Sequence, residues 1–234
     1  MIELVGFDGD DTLWHSEGYY RHAAAEFERI MANWTDLDCE NVRRRLLAQE
    51  QRHLDLYGYG AKNMTLAMVD TAIDITDGGI SGADIGRILA LGRRILEHPV
   101  ELLPGIREAV EAVADRHEIV LITKGDLKHQ EHKIELSGLG DLFRRIEIVS
   151  EKSPRSYAKV LSEFNLEASR FVMVGNSMRS DIEPVVELGG FGIHMPYHVT
   201  WEHELHHGIE DGHPRVVAID GPEHIVQALE KLAR

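Results

Sequence analysis

Two short patterns in this 234-residue chain hold most of its reactive potential. The first is Asp8-Gly9-Asp10-Asp11-Thr12, which follows the apolar run Ile2 to Phe7. The second is Gly175-Asn176-Ser177 with Asp181 on the next turn, directly behind the apolar run Phe171 to Val174. Between them lie Thr123-Lys124-Gly125, which close the run Glu118 to Thr123, and Lys152, which follows Ile146 to Val149. Acids gathered at one place need a cation, and oxygen-only donors of this kind suit Mg²⁺.

Short β-branched runs must position these groups. Those already named are joined by Gly192 to Met195 and Val216 to Ile219, and helix-length amphipathic stretches separate them after Pro104-Gly105. That alternation implies βαβ units and a parallel sheet covered on both faces. Ligands of an open parallel sheet bind beyond the carboxyl ends of its strands, where all four reactive segments fall. From about Glu17 to His98 the pattern is helical instead. Ala23, Phe27, Ile30, Met31 and Trp34 form one apolar stripe; Val42, Leu46 and Leu47 begin a second. Met64, Ala67, Met68, Thr71, Ala72 and Ile75 make a third, and Ile85, Ile88, Leu89, Gly92, Ile95 and Leu96 a fourth. Because the first strand precedes these four helices, they read as an insertion. Residues 1–15 and 99–234 are expected to form the core, with residues 16–98 as the helical insert. No internal repeat or low-complexity segment interrupts this plan.

The four segments, in this order, resemble the haloacid dehalogenase-like superfamily of phosphatases and phosphotransferases. Phe7-Asp8-Gly9-Asp10-Asp11-Thr12-Leu13 matches the family's DxDxT pattern, Thr123 its second motif and Lys152 its third. Gly175-Asn176-Ser177 through Asp181 is similar to the fourth, and the inserted helices are similar to the family's cap. The resemblance implies a doubly wound, Rossmann-like α/β core carrying a four-helix cap. It implies a Mg²⁺-dependent phosphomonoester hydrolase acting through an aspartyl-phosphate. Asp8 would be the nucleophile, Asp10 the general acid and base, and Thr123 and Lys152 the remaining catalytic groups. Thr123, Lys124, Gly125 and Lys152 would bind the phosphoryl group. Asp8, the Asp10 main-chain carbonyl, Asn176 and Asp181 would hold Mg²⁺. Two neighbouring acids push one pKa upward, which favours a protonated Asp10.

Where Asn176 stands, phosphatases of the family usually carry Asp. The lost charge predicts weaker Mg²⁺ affinity, with Asp181 taking more of the ligation. Asp10 bears on the reaction class, because the dehalogenases of the superfamily lack an acid there and release halide, which needs no proton. Phosphoryl chemistry is therefore favoured, with a haloacid dehalogenase or a phosphomutase as the alternatives. Phosphonate-cleaving relatives use a cap lysine. Lys62, in the turn Gly58 to Asn63, is the only lysine of the insert, and that turn is a candidate substrate-selecting loop.

Taken singly, each segment has a plainer reading. The Asp8 loop resembles a calcium loop but has Leu13 where Gly is required and Tyr19 where the closing acid is required. Lys152 alone reads as a surface lysine, and Thr123 as a strand-end residue. The chain also contains His203-Glu204-Leu205-His206-His207, an HExxH pattern, which makes zinc binding through His203 and His207 a distant alternative. Six of the 14 His lie between His194 and His213, so a solvated or loop-packing His cluster explains the pattern more simply.

Composition narrows the partners. With 25 Lys+Arg against 40 Asp+Glu the net charge is −15, which argues against nucleic acid and anionic membrane as partners. Apolar residues at 43% and charged residues at 28% fit an ordinary globular chain. Cys39 is the only cysteine, so an internal disulfide and a cysteine-based zinc site are excluded. No stretch approaches the roughly 18 apolar residues of a membrane helix, and no secretory pattern opens the sequence. The expectation is a cytoplasmic enzyme, monomer or homodimer, acting on a small phosphorylated metabolite that fits beneath a closing cap.

Overall fold

The computed structural model describes residues 1–198, 208–210 and 212–233. Its strands are β1 (Leu4–Phe7), β2 (Glu118–Lys124), β3 (Arg145–Val149), β4 (Phe171–Gly175), β5 (Phe191–His194) and β6 (Val216–Ala218). They form one sheet in the order β3-β2-β1-β4-β5-β6, with every pairing parallel. This is a doubly wound α/β fold, and each apolar run of the sequence supplies one strand. Strand order reverses at β1, which is flanked by β2 and β4. Phe7 is in register with Leu121 on one side and Val174 on the other, so three strand ends meet where Asp8 begins.

The central strands are apolar on both faces because both are covered. Val5, Phe7, Leu121, Val172 and Val174 join one core with residues of α5 (Ile106–Ala114) and α9 (Ile225–Leu232). The alternate residues Leu4, Val120, Ile122, Phe171 and Met173 join another with Tyr157, Val160 and Leu161 of α7 (Pro154–Glu163) and Val185 of α8 (Glu183–Glu187). Each large side chain so buried contributes about 1.5–3 kcal/mol. Another helix of this layer system, α6 (Leu127–Ser137), is unusual: its buried residues are His129, Gln130, Lys133, Ile134 and Ser137.

Tertiary contacts divide the chain into two compact units. One comprises Met1–Glu17, Val100–Lys124 and the chain from Gln130 onward; the other comprises Gly18–Pro99 with Gly125–His129. The second contains α1 (Glu17–Met31) from Gly18, then α2 (Cys39–Tyr57), α3 (Ala61–Ile75) and α4 (Gly82–Glu97). Phe27, Met31, Leu46, Met64, Met68, Ile88 and Ile95 form its core. Asp38 and Ser81 accept the Asn41 and Asp84 N–H groups at 2.8 and 3.1 Å and so start α2 and α4. Trp34 falls outside the stripe assigned to it, because α1 stops at Met31. The Asn33 amide donates to the Arg29 and Ile30 carbonyls, and the Trp34 indole donates to Asp84 Oδ2 at 3.1 Å. Among the described residues no helix is long and apolar enough to cross a membrane.

Candidate active site

Asp8 is held by the sheet although it lies just past β1. Its N–H donates to the Val174 carbonyl at 2.9 Å, continuing the β1–β4 ladder by one residue. The side chain is buried; Oδ2 accepts from Thr12 Oγ1 at 3.3 Å and Oδ1 from Lys152 Nζ. Lys152 is fixed in turn by the start of α7, where Ser153 and Ser156 form a reciprocal cap one residue later. Its ammonium also reaches Asp181 Oδ1 at 2.6 Å. Asp181 sits in a π-helical turn, Met178–Ile182, and its Oδ2 accepts the Ser177 N–H at 2.9 Å. Gly175 makes that possible: a Cβ there would lie 2.2 Å from Asp181 Oδ2.

These contacts set the charges. Burial alone would lower the Lys152 pKa, yet the Asp181 and Asp8 carboxylates hold it well above the ordinary lysine value. Burial, then repulsion from Asp181, pushes Asp8 up to about 7 despite Lys152. One ammonium thus serves two carboxylates, and their repulsion favours a proton on Asp8.

Asp10 is arranged differently. Its Oδ1 accepts from Trp14 Nε1 at 2.6 Å and from Lys133 Nζ, and its Oδ2 accepts from Gln130 Nε2 at 2.9 Å. Burial would raise its pKa, but Lys133 above all, with Gln130 and Trp14, holds it down at about 2. The expected protonated Asp10 is therefore reversed in this structure. The neighbouring acid is paired with its own cation, so repulsion between the two aspartates does not decide the outcome. Asp11 has a left-handed backbone, φ 58°, and its carboxylate accepts the Ser16 and Glu17 N–H groups, capping α1. Burial, then repulsion from Asp10, raises its pKa to about 7.

Asn176 supplies the test of whether a metal fits. The end of its amide lies 3.2 Å from Asp8 Oδ2, from Thr12 Oγ1 and from the Asp10 carbonyl oxygen. With the NH₂ turned inward, the amide donates to all three; with the oxygen inward, oxygens face one another. Adjacent ligands of an octahedral Mg²⁺ lie about 3 Å apart, so the inward oxygen, Asp8 and the Asp10 carbonyl form an acceptable hard-donor set. Both Asp181 oxygens are already engaged, by Lys152 and the Ser177 N–H. The group of the last segment that faces Asp8 is thus Asn176, and the larger ligating share expected of Asp181 is not reflected in its contacts. Among the described residues no three His, Cys, Asp or Glu side chains form a metal cluster. His203 and His207 lie outside the described residues.

The remaining candidates divide. Thr123 is buried at the end of β2, and a Cβ on Gly9 would stand 3.2 Å from its Oγ1 and 2.8 Å from the Trp14 ring. Gly9 thus lets the Asp8 loop pass close to the Thr123 hydroxyl. Lys124 Nζ donates to Ser180 Oγ at 2.8 Å, beside Asp181 in the chain. Gly125, at φ 135°, takes a backbone conformation that favours glycine and belongs to the segment that packs with the helical unit. Lys62 pairs with Asp126, Nζ to Oδ1 at 3.1 Å, within that same unit.

The residues that sequence reasoning missed are Lys133, Gln130 and Trp14. The available signal is α6 itself, a helix between two strands whose inward stripe is polar.

The family model for haloacid dehalogenase-like hydrolases matches residues 2–189. A haloacid dehalogenase-like family hydrolase from Xanthomonas campestris is 53% identical, with a TM-score of 0.90, covering 99% of this chain and 96% of that one. A 2-haloacid dehalogenase from Pseudomonas syringae pv. tomato is 20% identical with a TM-score of 0.65, covering 99% of both chains. A HAD phosphatase from Thermococcus onnurineus is 16% identical with a TM-score of 0.64, covering 97% of this chain and 98% of that one. At those last two identities the likeness concerns the fold alone, and the fold serves both chemistries. No curated protein matches the chain.

Proposed function

Because the chain belongs to the haloacid dehalogenase-like hydrolases, we propose that it hydrolyses phosphomonoesters, with Asp8 as nucleophile. One observation carries this choice. Asp10 is a second carboxylate kept apart from the Asp8–Lys152–Asp181 cluster on donors of its own, Trp14, Gln130 and Lys133. Release of an alcohol from phosphorus needs a group that moves protons; release of halide does not.

In this reading an Asp8 oxygen attacks phosphorus in line while the ester P–O bond breaks. Asp10 gives a proton to the leaving alkoxide. It then takes one from the water that attacks the aspartyl-phosphate, which restores Asp8 and releases phosphate. An arriving phosphoryl group brings negative charge and shifts the proton affinity of Asp10 upward, the direction its role as an acid requires. Thr123 Oγ1 and nearby main-chain N–H groups hold phosphoryl oxygens. Lys152, oriented by Asp181, offsets the charge that Asp8 and the phosphoryl group share. Mg²⁺ would be held by the Asp8 carboxylate, the Asp10 carbonyl and the Asn176 amide oxygen, and when bound it neutralises phosphoryl charge. The inserted helices act as a cap that selects a small phosphorylated metabolite.

The test is a panel of phosphorylated metabolites assayed with and without Mg²⁺, alongside 2-chloropropionate. Mg²⁺-dependent phosphate release that Asp8→Asn abolishes is the expected result. Chloride release without turnover of any phosphomonoester would overturn the reading, as would full turnover by Asp8→Asn.

A further inference from the structure

Lys133 is a lysine where helix α6 should bury apolar surface. Its side chain is 1% exposed, and its ammonium pairs with Asp10 Oδ1. Burying an ammonium group is costly unless it is paired and hydrogen-bonded, and the Asp10 carboxylate supplies that pairing. Gln130, one turn earlier on the same face, repeats the theme. Its Nε2 donates to Asp10 Oδ2 at 2.9 Å and to the Lys124 carbonyl at 2.7 Å, while its own Oε1 is buried with no hydrogen-bond partner among the described residues. An amide oxygen left unsatisfied in this way is itself destabilising. Two polar side chains at i, i+3 therefore converge on the two oxygens of one carboxylate, each against its own burial preference.

The consequence is geometric. Oδ1 is held by Lys133 and Trp14, and Oδ2 by Gln130, so donors from α6 and from the Asp8 loop fix both ends of the carboxylate. Rotation of the Asp10 side chain breaks at least one of these bonds. Gln130 also ties the carboxylate to the Lys124 carbonyl, the last residue of β2. We infer that Lys133 and Gln130 are positioning residues that aim the Asp10 carboxylate for proton transfer, an assignment resting on the acid–base reading of Asp10 given above. They touch no reacting atom; they act through Asp10 alone.

Leaving-group dependence separates this role from a merely structural one. An alkyl phosphate such as glycerol 3-phosphate requires a proton on its leaving oxygen, whereas p-nitrophenyl phosphate releases a stable phenolate without one. Asp10→Asn should lower kcat/KM, which reports the step that releases the alcohol, on the alkyl ester by about 10²-fold or more beyond its effect on the aryl ester. Lys133→Met should reproduce the same preference in kcat/KM in weaker form, about 10-fold, because lost aim outweighs the higher proton affinity that removing the cation gives Asp10. Gln130→Leu, which removes no charge, should show it too, and Lys133→Arg should restore the alkyl activity in part. The Gln130→Leu and Lys133→Arg variants decide the matter if Lys133→Met fails to fold. Equal losses on both esters, or none, in the α6 variants while Asp10→Asn remains selective would overturn this inference alone. An Asp10→Asn variant whose kcat/KM falls equally on both esters would overturn the acid reading of Asp10 and this inference with it.

Discussion

Lys152 and Asp181 meet at 2.6 Å with side chains only 2% and 1% exposed, and the same ammonium also pairs with Asp8. Removing the cation leaves two buried carboxylates facing each other. Lys152→Met should therefore destabilise the fold by about 3–5 kcal/mol as well as abolish turnover. Adding Asp181→Asn should return much of the stability and none of the activity. Urea denaturation of both variants measures this; a Lys152→Met protein as stable as the parent contradicts the arrangement.

Asp8 makes metal binding depend on pH. Its folded pKa, about 7, lies above the ordinary carboxylate value of 3.8, so the folded protein holds a proton there that the unfolded chain releases. That excess stabilises the fold at low pH, and the benefit is lost progressively as pH rises from about 4 to about 7. Under the proposed ligation Mg²⁺ would take the ionised carboxylate and compete with that proton. Apparent Mg²⁺ affinity should rise with pH up to about 7 and then level, with proton release seen by calorimetry in buffers of different ionisation enthalpy. Affinity unchanged between pH 5.5 and about 7 would count against the assignment.

Asn176 lies 3.2 Å from Asp8 Oδ2 and from the Asp10 carbonyl. Asn176→Asp adds a like charge at that distance and removes a hydrogen-bond donor. Without metal the variant should melt at a lower temperature than the parent. With Mg²⁺ it should gain more in Tm and need less metal for half-maximal activity. A Mg²⁺-induced shift in Tm equal to the parent's contradicts the prediction.

Gly175 is required by space. Gly175→Ala places a methyl group 2.2 Å from Asp181 Oδ2, and the carboxylate must move. The expected cost is about 1–3 kcal/mol of stability. Activity should fall by about 10²-fold because Lys152 loses its anchor. Gly18→Ala, whose added methyl group meets nothing within 4 Å among the described residues beyond its own chain neighbours and helix backbone, is the control and should keep parental activity.

The strands were legible in the sequence because each is a short apolar run ended by a polar group, and buried parallel strands allow little else. The four reactive segments were legible for the same reason, since each stands where such a run stops. What escaped is what depends on a partner distant in sequence. Lys133 reads as a surface lysine until α6 is known to turn its polar stripe inward. The ionisation of Asp10 follows from Lys133, 123 residues away, so adjacency to Asp8 misled. The contacts of Asp181 were hidden likewise, because the π-helical turn that swings it over Gly175 has no marker in the local sequence. Trp34 looked like part of a helical stripe because periodicity does not register the amide of Asn33 closing the helix.

Trp14 gives these ideas an optical consequence. Its indole is fully buried, it donates to Asp10 Oδ1 at 2.6 Å, and its ring closes over Gly9. An indole hydrogen-bonded to a carboxylate changes its emission when that carboxylate gains a proton or shifts. The part of the fluorescence that Trp14→Phe removes is therefore a native reporter on Asp10. Stopped-flow recording of that signal would show when in a turnover the proton arrives, with no dye attached.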